Sequence, residues 1–215
     1  MPTHRRDFLI WSAMLGASPT VLRALPTRPG RRPDEWDMSW TRRLTGRYKA
    51  VLDAPTPSEG DPILRAMVWA RQHADVFGAT PGQLSRVLVL RHTAIDLAMN
   101  DAYWARFPVG TAHGFLDDAG RSLPVNPIRT EREAVPMPYR PLTLEAFQRG
   151  GGIVLACHLA LQHYVVPRYV AEGMTEAAAL AAAEADLLPG IIPQPSGIFA
   201  VSVAQEHGCR YVQVS

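Results

Sequence analysis

Two short, unbroken apolar runs, Val87-Leu88-Val89-Leu90 and Ile153-Val154-Leu155-Ala156-Cys157, constrain this chain more than any other feature. Each lies between segments with helical spacing, and neither contains a polar residue. A strand is apolar at every position only when both of its faces are covered, as happens inside a parallel sheet between helical layers. Three more strands are expected. Arg47 to Asp53 ends at Ala54-Pro55-Thr56-Pro57, where two prolines forbid continuation, and Ile191–Pro193 and Tyr211–Val214 supply the others. Helices are expected between them. Ile63, Leu64, Met67, Val68, Ala70, Ala74 and Phe77 recur at helical spacing before Gly78, and similar patterns cover Thr93–Phe107, Leu159–Glu172, Thr175–Ala185 and Ser196–His207. Leu142–Arg149 reads as a helix capped by Thr143 and closed by Gly150-Gly151-Gly152, and Trp36–Gly46 as a short amphipathic helix. This alternation specifies an α/β fold, a doubly wound and mostly parallel sheet of about five strands flanked by helices and joined by right-handed crossovers.

At 215 residues the chain accommodates a leader, residues 1–33, and one domain, residues 34–215. The first fifty residues carry ten Lys/Arg against four Asp/Glu, which leaves the remainder net acidic. The arginine pair Arg5-Arg6, followed by Phe8-Leu9 and an apolar run from Trp11 to Leu22, resembles a twin-arginine export signal read by a receptor. The run falls short of the roughly 20 residues that span a bilayer. No small-x-small cleavage site stands out near Ala17 or Ala24. The expected compartment is therefore periplasmic or otherwise exported, with the export machinery as a partner through the leader. Positive charge on a tail rather than on the folded body argues against a nucleic-acid partner.

In open α/β sheets, ligands bind beyond the carboxyl ends of the strands. Four groups are expected at that edge: Asp53; Arg91-His92-Thr93; Cys157-His158; and Gln194-Pro195-Ser196-Gly197. Cys157 stands where a strand passes into a helix, a position that favours the thiolate and suits a nucleophile or sulfur carrier. The plainer reading is a small buried hydrophobe. Cys209 precedes the last strand, so the two cysteines should lie at opposite edges, roughly 15 Å apart for five residues of strand. A disulfide needs Cα atoms within about 7 Å, so two separate thiols are expected, with Cys209 simply packing. A metal site is not expected: Cys157 and His158 point apart on a strand, and His158 and His163 are five residues apart on a helix rather than three or four. No Gly-x-Gly-x-x-Gly, Walker, Gly-x-Ser-x-Gly or Cys-x-x-Cys template is present, and no cofactor is expected.

Other residues have weaker assignments. Tyr103 and Trp104 read as packing, while Asn100 and Asp101 face either the site or solvent. His73 belongs to the polar face of a helix, and His113 and His207 have no assignable partner. Gly150-Gly151-Gly152 precedes its strand, at the wrong edge to cradle a phosphate, and reads as a turn. Val109 to Pro141, with Pro124, Pro127, Pro136, Pro138 and Pro141, lacks periodicity and reads as a surface excursion able to cover the carboxyl edge of the sheet.

The second half of the chain resembles the DsrE/DsrF-like family of sulfur-relay proteins. The features that carry the resemblance are the strand ending in Cys157, the segment Asp186-Leu187-Leu188-Pro189-Gly190-Ile191-Ile192-Pro193-Gln194-Pro195-Ser196-Gly197, and Gly208-Cys209-Arg210-Tyr211-Val212. Asp53-Ala54-Pro55, Asn100-Asp101-Ala102-Tyr103-Trp104 and Asn126-Pro127 extend it to exported DsrE-like proteins with a twin-arginine leader, over roughly residues 36–215. The resemblance implies a persulfide carried on Cys157, a sulfur-donor or acceptor protein or small molecule as partner, and association into trimers or hexamers. Exported relatives tend to show asparagines after the cysteine where this chain has His158-Leu159. On this reading the chain is a sulfurtransferase-like carrier, with His92 or His158 tuning the thiol, Ser196 and Gly197 supplying amides, and Asp53 and Asn100 lining the ligand site. A reading of a different class is a non-catalytic small-ligand or cofactor-binding protein in which the thiol is incidental.

Overall fold

A computed structural model describes residues 35–133 and 142–215. The leader expected over residues 1–33, and Pro136, Pro138 and Pro141, lie outside the described residues. Five strands, β1 (Tyr48–Ala54), β2 (Leu84–Leu90), β3 (Ile153–Cys157), β4 (Ile191–Gln194) and β5 (Arg210–Gln213), form one sheet in the order β4-β3-β2-β1-β5. Every neighbouring pair is parallel. The protein has the expected α/β, doubly wound architecture. Pro193 is tolerated inside β4 because that strand is at the sheet edge, where a missing N–H breaks no ladder on the outer side.

The unbroken apolar runs are explained by two cores. Ala50, Leu52, Leu88, Leu90, Val154 and Ala156 face one side, where α1 (Asp61–Phe77), α4 (Leu144–Arg149) and α7 (Glu176–Ala185) supply Ile63, Ala66, Phe147, Ala179 and Ala183. Val51, Val87, Val89, Ile153 and Leu155 face the other, where α8 (Gly197–Glu206) supplies Ala200, Val203 and Ala204, beside Trp40. Every residue of β3 is buried, as coverage on both faces requires.

The helical expectations needed three corrections. Thr93–Phe107 is not one helix: a 3-10 segment, His92–Ala98, is followed by extended Met99 and then by α2 (Asp101–Arg106). The break is made by cross-links to distant chain. Leu188 N–H donates to Ala98 O at 2.8 Å, Asn100 N–H to Asp186 O at 2.8 Å, and the Asn126 amide to Leu97 O at 2.9 Å and Met99 O at 2.7 Å. Asn100 then caps α2 by accepting from Tyr103 N at 3.0 Å. Next, the helix expected at Leu159–Glu172 begins as α5 (His158–Ala160), passes through a π-helical turn, Leu161–Val165, and resumes as α6 (Val166–Ala171). Pro167, which has no N–H, sits in the first turn of α6, directly after the π turn. Finally, Trp36–Gly46 is helical only over the 3-10 turn Ser39–Arg43.

The stretch after Val109 is also more structured than expected. It contains α3 (Val109–His113), and Phe115, Leu123 and Ile128 are buried in the larger core. Asn126 is fully buried with its amide spent on the 3-10 segment after β2, so this part of the excursion is anchored rather than laid over the surface. Gly150-Gly151-Gly152 makes the expected turn: Arg86 Nη2 donates to Gly150 O at 2.6 Å, and a Cβ on Gly152 would lie 2.4 Å from the Phe147 ring.

Candidate functional site

Strand order fixes where a crevice can form. The chain leaves β3 through helices on one face and leaves β4 through α8 on the other, so the connections part between the carboxyl ends of these two neighbouring strands. Such a switch point is where open α/β sheets take ligands. Cys157 and Gln194 are register partners there. Leu90 is in register with Ala156, so Arg91, the next residue, extends the row on the other side of Cys157. Arg91, Cys157 and Gln194 thus stand side by side at the ends of three adjacent strands.

Cys157 is 5% exposed and carries a free thiol. The chain is already turning there: Ala160 N–H donates to Cys157 Sγ at 3.3 Å, so the sulfur caps α5. The sulfur thus accepts a backbone N–H, and Arg91 stands at the end of the neighbouring strand. Arg91 is held in place by Asp53, Nε to Oδ1 at 2.6 Å and Nη2 to Oδ2 at 2.8 Å. The hydroxyl of Tyr211 donates to Asp53 Oδ2 at 2.8 Å. Hydrogen bonding to Asp53 raises the Arg91 pKa above its ordinary value, with burial opposing and the Cys157 charge adding a smaller push upward. Gly197, at the start of α8, lies against the Arg91 stem so closely that a Cβ there would be 2.5 Å from Arg91 Cβ.

His92 has φ of 52°, in the left-handed region, and its ring lies 4.7 Å from that of Tyr164 on the π turn. Burial, and then the Arg91 charge, push the His92 pKa down. Burial, and then the charge of Cys157, push Tyr164 up. Arg91 and Tyr164 therefore lie near enough to Cys157 to feel its charge, His92 packs on Tyr164, and Asp53 holds Arg91.

The remaining expected site residues are placed elsewhere or otherwise engaged. His158 turns to Glu184 on α7, Nε2 to Oε1 at 3.0 Å, with Trp36 edge-on at 5.3 Å. Ser196 caps α8 by accepting from Phe199 N at 3.1 Å. Asn100 donates to Asp186 Oδ1 at 2.9 Å besides capping α2. Asp101 binds Arg129 at 2.8 Å and Arg132 at 2.6 Å, which ties down the chain after Asn126. No cluster of three metal-ligating side chains occurs among the described residues.

Two residues have larger roles than their sequence positions suggested. Arg91 is one; an arginine one step beyond a buried strand, beside a strand end carrying Asp53, is the signal that points to it. Asp96 is another. It is the single acid within Ala94-Ile95-Asp96-Leu97-Ala98-Met99, and such an acid requires partners. It is fully buried, and accepts from Tyr103 Oη at 2.6 Å, from Arg168 at 2.5 and 3.0 Å, and contacts His113 Nε2 at 2.6 Å. His113 accordingly does have a partner. His73, expected on a polar face, instead lies among the rings of Trp69, Tyr48 and Phe77, 4.0, 5.2 and 5.6 Å away, with Nδ1 2.8 Å from Trp69 O. His207 similarly contacts Val203 O, 2.9 Å from Nδ1.

No family model and no curated protein matches the chain. Among solved structures it is similar to a protein of unknown function, MTH1491 from Methanobacterium thermoautotrophicum, with 14% identity and a TM-score of 0.42 over 77% of this chain and 98% of the other.

Proposed function

We propose that this protein is an exported sulfur carrier that holds sulfane sulfur as a persulfide on Cys157. The observation that carries the reading is the row at the switch point: a free thiol at the end of β3, accepting a backbone N–H, with Arg91, anchored by Asp53, at the end of the neighbouring strand. A persulfide is more acidic than a thiol, and an adjacent fixed cation favours its anion. The leader motif at Arg5-Arg6 is the basis for the exported location.

Mass spectrometry of full-length protein purified without reductant tests this. The peptide containing Cys157 is expected to carry one added sulfur, removed by cyanide as thiocyanate, while the peptide containing Cys209 carries none. A Cys157 peptide that stays unmodified even after the protein is treated with a persulfide would refute the reading.

A further inference from the structure

We propose that the amino edge of the sheet, opposite the edge that holds Cys157, docks on an anionic lipid bilayer, with Val76 and Phe77 entering the headgroup region between arginines that meet the phosphates. The thiol plays no part in this, so it stands apart from the sulfur-carrier reading. Both α1 and α4 end at that edge, a short turn before β2 and β3 begin. Val76 and Phe77, the last two residues of α1, are 71% and 61% exposed. The Phe77 ring stacks on that of Tyr48, the first residue of β1, at 5.6 Å, and the Arg47 guanidinium lies 5.2 Å from the Tyr48 ring. Arg86 of β2 donates to Gly150 O and stands 5.1 Å from the Phe147 ring of α4. Arg43 donates to Gly152 O at 3.5 Å, and exposed Arg149 closes α4.

None of Arg43, Arg47, Arg86 and Arg149 has a carboxylate partner among the described residues. The acids on the two helices are occupied: Asp75 accepts from Arg71 at 3.2 Å, and Glu145 from the Thr130 hydroxyl at 2.6 Å. Burial pushes the Arg86 pKa down with no acid to offset it, so a half-buried cation is kept without a counter-charge. An anion arriving from outside the chain supplies one.

The combination selects the occupant. A soluble polyanion would answer the arginines and leave Val76 and Phe77 in water. A stable protein partner buries roughly 800 Å² on each side, far more than two protruding side chains provide. An anionic bilayer answers both features, because its interface takes apolar side chains just past the headgroups and its phosphates accept from guanidiniums. Docked in this way, the carboxyl ends of the strands face away from the bilayer.

Co-sedimentation of the full-length protein with vesicles tests the proposal, using phosphatidylcholine alone and phosphatidylcholine mixed equally with phosphatidylglycerol. Binding is expected to the mixed vesicles only, and to be lost in high salt. Arg47→Gln and Arg149→Gln are each expected to weaken binding about fivefold, and together about 25-fold. Phe77→Gln is expected to weaken it about tenfold. All three side chains are exposed, so the variants retain the fold. Absence of binding to the mixed vesicles, or equal binding to phosphatidylcholine alone, would overturn the proposal. Binding that the three substitutions leave unchanged, as attachment through residues 1–33 would, also overturns it. Capture by soluble polyglutamate without vesicle binding would assign the arginines to an acidic polypeptide instead, and overturn it too.

Discussion

Arg91 grips Asp53 with two near-parallel hydrogen bonds of 2.6 and 2.8 Å, joining the end of β2 to the end of β1. The Asp53 side chain is 3% exposed and that of Arg91 30%. Removing Arg91 strands a buried carboxylate. Arg91→Leu is therefore expected to destabilise the fold by about 3 kcal/mol, and the double variant with Asp53→Leu to recover part of that loss. Urea unfolding of the two single variants and the double variant measures it. Full additivity would show that the pair does not act as a unit.

Gly197 is required by that same arginine. In Gly197→Ala the new methyl group would lie 2.5 Å from Arg91 Cβ and 2.6 Å from Cδ, so the stem has to move. A loss of about 1–3 kcal/mol is expected, together with slower sulfur loading of Cys157. Removing the whole side chain in Arg91→Gly should make Gly197→Ala nearly neutral for stability.

His92 gives the site an acid limit. Burial and Arg91 lower its pKa in the folded protein, so the unfolded chain binds a proton more readily just below the ordinary imidazole value of about 6.5. The corresponding stability is complete above that value and is lost as the pH falls through the window beneath it. His92→Asn is expected to flatten this slope and to add about 0.5 kcal/mol at neutral pH, because Asn tolerates the φ of 52° better than His. Thermal melts from pH 5 to about pH 8 read both effects.

Cys209 should be the slow thiol. Its pKa is raised by burial, with Lys49 opposing, so little thiolate forms at neutral pH. Iodoacetamide applied to the native protein is expected to leave Cys209 unmodified until urea unfolds the chain. Rapid native labelling of Cys209 would contradict its packing against the α8 core.

Asp96 carries the heaviest structural load outside the sheet. Asp96→Ala leaves Arg168 without its carboxylate and frees Tyr103 and His113, and a loss of about 3–5 kcal/mol is expected. The effect should be larger than that of Asp101→Ala, whose partners Arg129 and Arg132 are partly exposed. Denaturant midpoints order the two.

What could be read in advance divides along a physical line. Val87–Leu90 and Ile153–Cys157 announce themselves because burial on both faces leaves no position for a polar residue, and that is a local property of the chain. The carboxyl-edge position of Cys157 follows directly. The break at Met99 does not, because it depends on Leu188, Asp186 and Asn126 arriving from far along the chain to take its carbonyls and amides. Helical periodicity continues through it. The direction of His158 is equally non-local: only the docking of α7 brings Glu184 to its ring. The position of Arg91 at the carboxyl edge is legible locally, but its role is not, since its partner comes from β1, 38 residues away.

The fifth strand bears on the order in which this protein can be assembled. β5 pairs beside β1, Val214 N–H donates to Asp53 O at 2.9 Å, and Tyr211, 158 residues from Asp53, completes the shell around its carboxylate. The anchor of Arg91 is thus finished by a strand made 158 residues after Asp53, and contacts of such long range are reached slowly. During synthesis the thiol of Cys157 already exists while the charge arrangement beside it is incomplete. Closure of the sheet by Arg210–Gln213 marks the point at which the thiol acquires its finished surroundings.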